Sequence, residues 1–218
     1  MKLIKLSLVA TLATTVLFAA DFKKELGISA NVAMTTNYVW RGMSQTNDSM
    51  AIQGGFDLDY KGAYIGVWGS NISFAKGMEL DLYAGYIGII SGLSYDVGFI
   101  QYAFIDDVDA NNFGEIYAGI GYDFEMLSLS AKYSLGVKTN DSSVENYVEV
   151  GISAPLLEGF AVATHYGLYT NYGSDYSVGI GTSLDKIDFD ISYVGFTAHS
   201  DINIPNQDNI ILTLHTSL

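Results

Sequence analysis

The chain has 218 residues, a formal net charge of −14 and no cysteine; 49% of residues are apolar and 16% charged, against about 25% charged in an ordinary globular protein. Without cysteine there is no disulfide framework, thiolate metal site or catalytic thiol. No basic cluster exists to neutralise phosphates or anionic lipid, which argues against nucleic-acid binding and a polybasic membrane anchor.

Residues 1–20 read as a secretory signal peptide. Lys2 and Lys5 form a basic start, Leu6 to Phe18 an apolar run, and Ala19-Ala20 the small residues at which cleavage would follow Ala19 or Ala20. Residues 21–218 then form a single domain. After the signal no apolar run reaches 18 residues, so no transmembrane helix is predicted. The apolar content must instead lie in alternating segments.

The first such segment runs from Gly27 to Gly42, GISANVAMTTNYVWRG. Ile28, Ala30, Val32 and Met34 alternate with Ser29, Asn31, Ala33 and Thr35, the period of a strand with one apolar face. The same parity continues through Thr36 to Tyr38 and Trp40, which predicts a long strand ending in two aromatics at a membrane–water interface. Arg41, the only arginine in the chain, falls on the opposite, inward face.

After a polar loop at Met43–Ser49, the second strand sets Ile52, Phe56, Leu58 and Tyr60 against Gln53, Asp57 and Asp59. Lys61-Gly62 is a tight turn into a third strand from Ala63 to about Ile72. Pairing across that turn sends Trp68 inward, although Tyr64 and Trp68 would also suit an interface girdle. Strand four alternates Leu80, Leu82, Ala84 and Tyr86 with Glu79, Asp81 and Tyr83. Ser91-Gly92 turns into strand five, where Leu93, Tyr95, Val97 and Phe99 face away from Ser94, Asp96 and Gly98. A loop at Asp106–Asn112 leads to strand six, with Ile116, Ala118, Ile120 and Tyr122 against Glu115 and Tyr117.

The cleanest alternation follows the Glu125-Met126 turn. Leu127, Leu129, Ala131, Tyr133, Leu135 and Val137 share one face, and Ser128, Ser130, Lys132, Ser134, Gly136 and Lys138 the other. Strand eight sets Val148, Val150 and Ile152 against Glu145, Tyr147 and Glu149. A turn at Pro155–Glu158 leads to strand nine with Phe160, Val162, Thr164 and Tyr166, and a loop at Thr170–Ser174 to strand ten with Tyr176, Val178 and Ile180. Asp185-Lys186 turns into strand eleven, with Ile187, Phe189, Ile191 and Tyr193 against Asp188, Asp190 and Ser192. A last loop, Ala198–Gln207, precedes strand twelve with Ile210, Leu212 and Leu214.

Tight turns therefore alternate with longer polar loops, and the strand count is even, the asymmetry of short periplasmic turns and longer external loops. The inward residues are too small and polar to make a core, so the apolar face belongs outside, against lipid. An open sheet in lipid would leave backbone groups unpaired, so the sheet must close. The predicted fold is an all-β transmembrane antiparallel up-and-down β-barrel of about 12 strands, its first strand pairing with Ile210–Leu218.

Three linked blocks, Tyr38-Val39-Trp40-Arg41-Gly42 with Ser44-Gln45, Ala51-Ile52-Gln53-Gly54-Gly55-Phe56, and Gly66-Val67-Trp68-Gly69-Ser70-Asn71, resemble the TorF family of bacterial outer-membrane porins. The resemblance is densest over residues 27–74 and implies a porin-like barrel in the outer membrane of a Gram-negative bacterium. Many outer-membrane barrels end in an aromatic read by the assembly machinery; this chain ends in Leu218.

Inward parity collects Asp57, Asp59, Glu79, Asp81, Asp96, Glu115, Glu145, Glu149, Asp175, Asp188 and Asp190, opposed only by Arg41, Lys132 and Lys138. These are the candidate pore-lining residues, and their excess of carboxylates predicts a narrow, cation-preferring channel for passive diffusion of small solutes. The alternative is a barrel plugged by inward aromatics, with a structural, adhesive or receptor role. No enzyme is predicted. His165 and His215 take inward parity and His199 lies near the last loop, yet no Gly-x-Ser-x-Gly elbow or histidine–serine spacing accompanies them. The Asp106-Asp107-Val108-Asp109-Ala110-Asn111 run spaces oxygens like a calcium loop, but Asn112 stands where that loop needs glycine. It reads as a solvated loop, so neither metal nor cofactor is predicted. The expected partners are outer-membrane lipid and lipopolysaccharide, the insertion machinery during assembly, and small solutes.

Overall fold

The computed structural model describes residues 26–74, 77–105, 112–137 and 144–217. The signal peptide expected over 1–20, the acidic run 106–111 and Lys138 lie outside the described residues.

Among the described residues fourteen strands follow in chain order: β1 (Gly27–Thr35), β2 (Val39–Trp40), β3 (Met43–Ser44), β4 (Ala51–Tyr60), β5 (Ala63–Asn71), β6 (Met78–Ile90), β7 (Leu93–Phe104), β8 (Phe113–Asp123), β9 (Ser128–Val137), β10 (Tyr147–Leu157), β11 (Phe160–Tyr169), β12 (Gly173–Leu184), β13 (Ile187–Ala198) and β14 (Gln207–Ser217). Twelve of them, β1 and β4 to β14, form one closed antiparallel barrel in which neighbours in space follow one another in the chain except at the closing pair, β1 and β14. Closure runs through β1, which pairs with β4 from Gly27↔Asp59 to Thr35↔Ala51 and with β14 from Asn31↔Ser217 to Thr35↔Thr213. No α-helix occurs among the described residues.

The connections follow the alternation read from the sequence. Tyr60 pairs with Ala63 across Lys61-Gly62, and Ile90 with Leu93 across Ser91-Gly92. Both central residues of each turn have positive φ, the geometry whose twist matches that of the strands it joins. The turn expected over Pro155–Glu158 tightens to Glu158-Gly159, because β10 runs on to Leu157. The loop expected over Thr170–Ser174 shrinks to residues 170–172, because β12 already begins at Gly173.

The outer face is apolar along its whole circumference. Ile52 is 61% exposed and Ile210 71%, and Leu82, Ile116, Val150, Val178 and Ile191 are exposed with them. A belt of this extent is incompatible with water as the only solvent and fits the hydrocarbon of a bilayer. Buried residues lie on the inner face instead. Trp68 and Tyr64 both point inward, Trp68 against Tyr38 and Tyr64 donating to Asp96, which settles the register of β5 in favour of pairing across Lys61-Gly62.

The expected sixteen-residue first strand is overturned. β1 stops at Thr35, and β2 and β3 form a separate two-stranded hairpin. Tyr38 and Trp40, predicted as membrane-interface aromatics, are inside the barrel: Tyr38 is 3% exposed and packs on Trp68, while Trp40 lies against Tyr102, Phe113 and Tyr169. Side-chain hydrogen bonds redirect the chain at this point. The Thr35 hydroxyl donates to the Asn37 carbonyl (3.0 Å), and the Asn37 amide donates to Asp48 (3.0 Å) and to Asn209 of β14 (3.1 Å). Such local bonds compete with continuation of a strand.

Candidate functional site

The hairpin crosses the lumen. Successive residues of a strand point to opposite faces, and here Tyr38 joins a cluster with Ile100, Tyr102 and Tyr117 on the β7–β8 wall while Val39 packs on Val194 and Ile211 of β13 and β14. The Tyr38 hydroxyl donates to Glu79 (3.2 Å), and the Ser44 amide donates to the Gln207 side chain (2.8 Å). The tip is Arg41-Gly42, with φ of 47° and 77°. Gly42 is required twice over. Its φ lies in the left-handed region, and an added Cβ would come within 2.6 Å of the Gly195 carbonyl and 2.8 Å of the Asp175 and Phe196 β-carbons.

Arg41 is buried, at 4% exposure. Its Nη2 donates to Glu115 Oε1 at 2.6 Å. Its guanidinium carbon lies 4.3, 4.1 and 4.8 Å from the ring centres of Trp40, Tyr147 and Tyr169. Desolvated contacts of a cation with ring faces are worth about 2 kcal/mol or more. Arg41 thus faces inward as half of an ion pair, not as the open charge that its parity suggests.

The inward carboxylates differ sharply in their surroundings. Glu115 also accepts from the Tyr102 hydroxyl (3.1 Å), Asp96 from Tyr64 (2.7 Å) and Asp57 from Tyr83. Glu149 lies 3.9 Å from Lys132 Nζ and 3.2 Å from His165 Nδ1. Asp175 meets His165 Nε2 at 2.5 Å and accepts from Tyr147 at 2.9 Å. Asp188 is paired with His215 (2.9 Å) and accepts from Ser183. Asp81, at 0% exposure, has no hydrogen-bond partner among the described residues, whereas Asp190, at 6%, lies beside the Ser192 hydroxyl. Asp59 is exposed at the tight-turn rim, and Glu145 precedes β10 in the loop. Sequence parity placed these acids on the inner face; it carried no information about which of them are capped.

Among the described residues no group of three or more histidine or carboxylate side chains is placed so that it could hold a metal ion. Both ring nitrogens of His165 face carboxylates, so neither is available to accept a proton from a hydroxyl nucleophile. Ser177 sits opposite His165 in the β11–β12 ladder, but its hydroxyl makes no hydrogen bond.

A family model described as a bacterial protein of unknown function (Gcw_chp) matches residues 19–214. The chain belongs to this family. No curated protein matches the sequence. Among solved structures, the chain is similar to the KdgM porin, with 12% identity, a TM-score of 0.63 and coverage of 87% of this chain and 99% of that one. It is also similar to outer membrane phospholipase A from Escherichia coli, at 10% identity and TM-score 0.55, covering 90% and 93% of the two chains. The COG4313 outer membrane channel from Pseudomonas putida F1 gives 10% identity and TM-score 0.52, covering 88% and 94%. At these identities the likeness is one of fold. This fold is shared by channels and by an enzyme, so the Gcw_chp chain's activity has to be argued from its own interior.

Proposed function

We propose that the protein is a porin-like channel of the outer membrane, as its resemblance to the TorF porins implied, passing small solutes by diffusion and preferring cations. The observation that carries this reading is the pairing of a lipid-compatible apolar exterior with a closed, polar, acid-rich interior. The KdgM porin and the COG4313 channel, which share its fold, support it. Cation preference follows from the inner carboxylates, which outnumber Arg41 and Lys132 among the described residues. A pore lining with an excess of one charge sign attracts the opposite sign and repels its own. One KdgM structure is a complex with oligogalacturonate; a carboxylate-rich interior disfavours a polyanion of that kind, and that solute is not carried over. An enzyme is disfavoured by the full occupation of His165 by Glu149 and Asp175.

A second reading, a plugged barrel with a structural or receptor role, is favoured by the hairpin that crosses the lumen. Planar-bilayer recording separates the two. The channel reading expects discrete conductance steps and, across a KCl gradient, a reversal potential of the sign for K⁺ preference. Absence of steps from protein that runs as a folded barrel would establish the plugged reading, and a reversal potential of the opposite sign would remove cation preference.

A further inference from the structure

We propose that the barrel wall carries a binding site for a guanidinium-bearing cation, formed by Glu115, Tyr147 and Tyr169, and that the hairpin fills it in this conformation with its own Arg41. The proposal rests on the reading that small solutes enter the barrel, and it gives them a chemical class.

The walls of the site come from the barrel and are held in place without Arg41. Glu115 on β8 accepts from Tyr102 of β7 through the oxygen that Arg41 does not use. Tyr147 on β10 donates to Asp175 and lies 3.0 Å from His165. Tyr169 on β11 meets Tyr147 edge to face at 6.0 Å and stacks on Tyr172 at 4.6 Å. Three strands thus present one carboxylate and two ring faces around a point occupied by the guanidinium carbon. This is the arrangement that recognises a planar, weakly hydrated cation better than a compact ammonium.

Arg41 occupies the site through a short tether. It reaches in from residues 36–50, the loop between β1 and β4, and its Nη1 makes no hydrogen bond among the described residues. A tethered group competes at an effective concentration in the millimolar range. A free guanidinium therefore binds measurably only where Arg41 has been removed, or at concentrations that outcompete the tether. Withdrawal of Arg41 also removes Trp40, whose ring covers the same cation, so occupancy of the site and position of the hairpin are coupled.

The test uses full-length mature protein refolded in detergent micelles, checked for a folded barrel by its heat-dependent gel mobility, and titrated with methylguanidinium chloride against a sodium chloride control. Tryptophan fluorescence is the readout, since Trp40 and Trp68 are the only tryptophans and Trp40 borders the site. Arg41→Ala is expected to give saturable binding that wild type shows at least about tenfold more weakly. Adding Glu115→Gln should weaken it at least about tenfold, because each 1.4 kcal/mol is tenfold and a buried charge pair is worth more than that. Arg41→Gln, which keeps a polar side chain of similar length, serves if the alanine variant does not run as folded. Binding insensitive to Glu115→Gln, or no saturable binding in a folded Arg41 variant, overturns the site. Equal binding of tetramethylammonium overturns the guanidinium assignment. Binding in micelles needs no open pore, so failure of the channel reading shows separately, as missing conductance.

Discussion

Glu115 and Gly42 are the two residues on which docking of the hairpin most depends. Glu115→Gln leaves Arg41 buried without a counter-charge, a loss of about 3–5 kcal/mol for a broken buried pair. Gly42→Ala forces a Cβ against the β12 and β13 wall in a backbone conformation that L side chains rarely adopt. Arg41 is the only arginine, so release of the hairpin can be read directly. Trypsin added to reconstituted protein should cut after Arg41 in both variants and spare that bond in wild type. If the wild-type bond is cut as fast, the hairpin is not held inside the barrel. The importance of Gly42 was not legible in the sequence, where the strand parity runs on into Arg41-Gly42. Nor was the role of Glu115, because it depends on a residue 74 positions away.

At the level of the element, the inner hairpin is what separates this barrel from an empty one. Replacing residues 38–45 by a short Gly-Ser link should leave the twelve-strand ladder intact, since every barrel strand pairs outside that segment. Single-channel conductance should rise several-fold with cation preference retained, because the inner carboxylates remain. Unchanged conductance would place the permeation path away from the hairpin. The sequence could not disclose this element. Thr36, Tyr38 and Trp40 keep the parity of Ile28 to Met34, and two-residue strands carry no period of their own. Only the contacts of Asn37 with Asp48 and Asn209 distinguish a strand that continues from one that folds inward.

For the molecule as a whole, lipid is part of the folding problem. Ile152 lies midway along β10 and is 48% exposed on the outer face. A lysine there should cost about 2–4 kcal/mol of stability in a bilayer, as cationic side chains do near the midplane. Ser130 pairs across the sheet with Gly151 and faces inward; a lysine there should cost much less. Urea unfolding of both variants in lipid vesicles measures the difference, and equal losses would contradict the assignment of inside and outside.

The sequence by itself determined the barrel: strand number, tight turns, the face that meets lipid, and the meeting of the first and last strands. These depend on a period of two and on turn chemistry, both local, so they are written in runs of about ten residues. Only the tertiary structure decided what fills the interior. Whether Trp40 anchors in a membrane or packs on Tyr102, and whether Arg41 is an open charge or the partner of Glu115, depends on side chains brought together from β7, β8, β10 and β11. Inward-facing parity says that such residues share a space; it cannot say which of them touch.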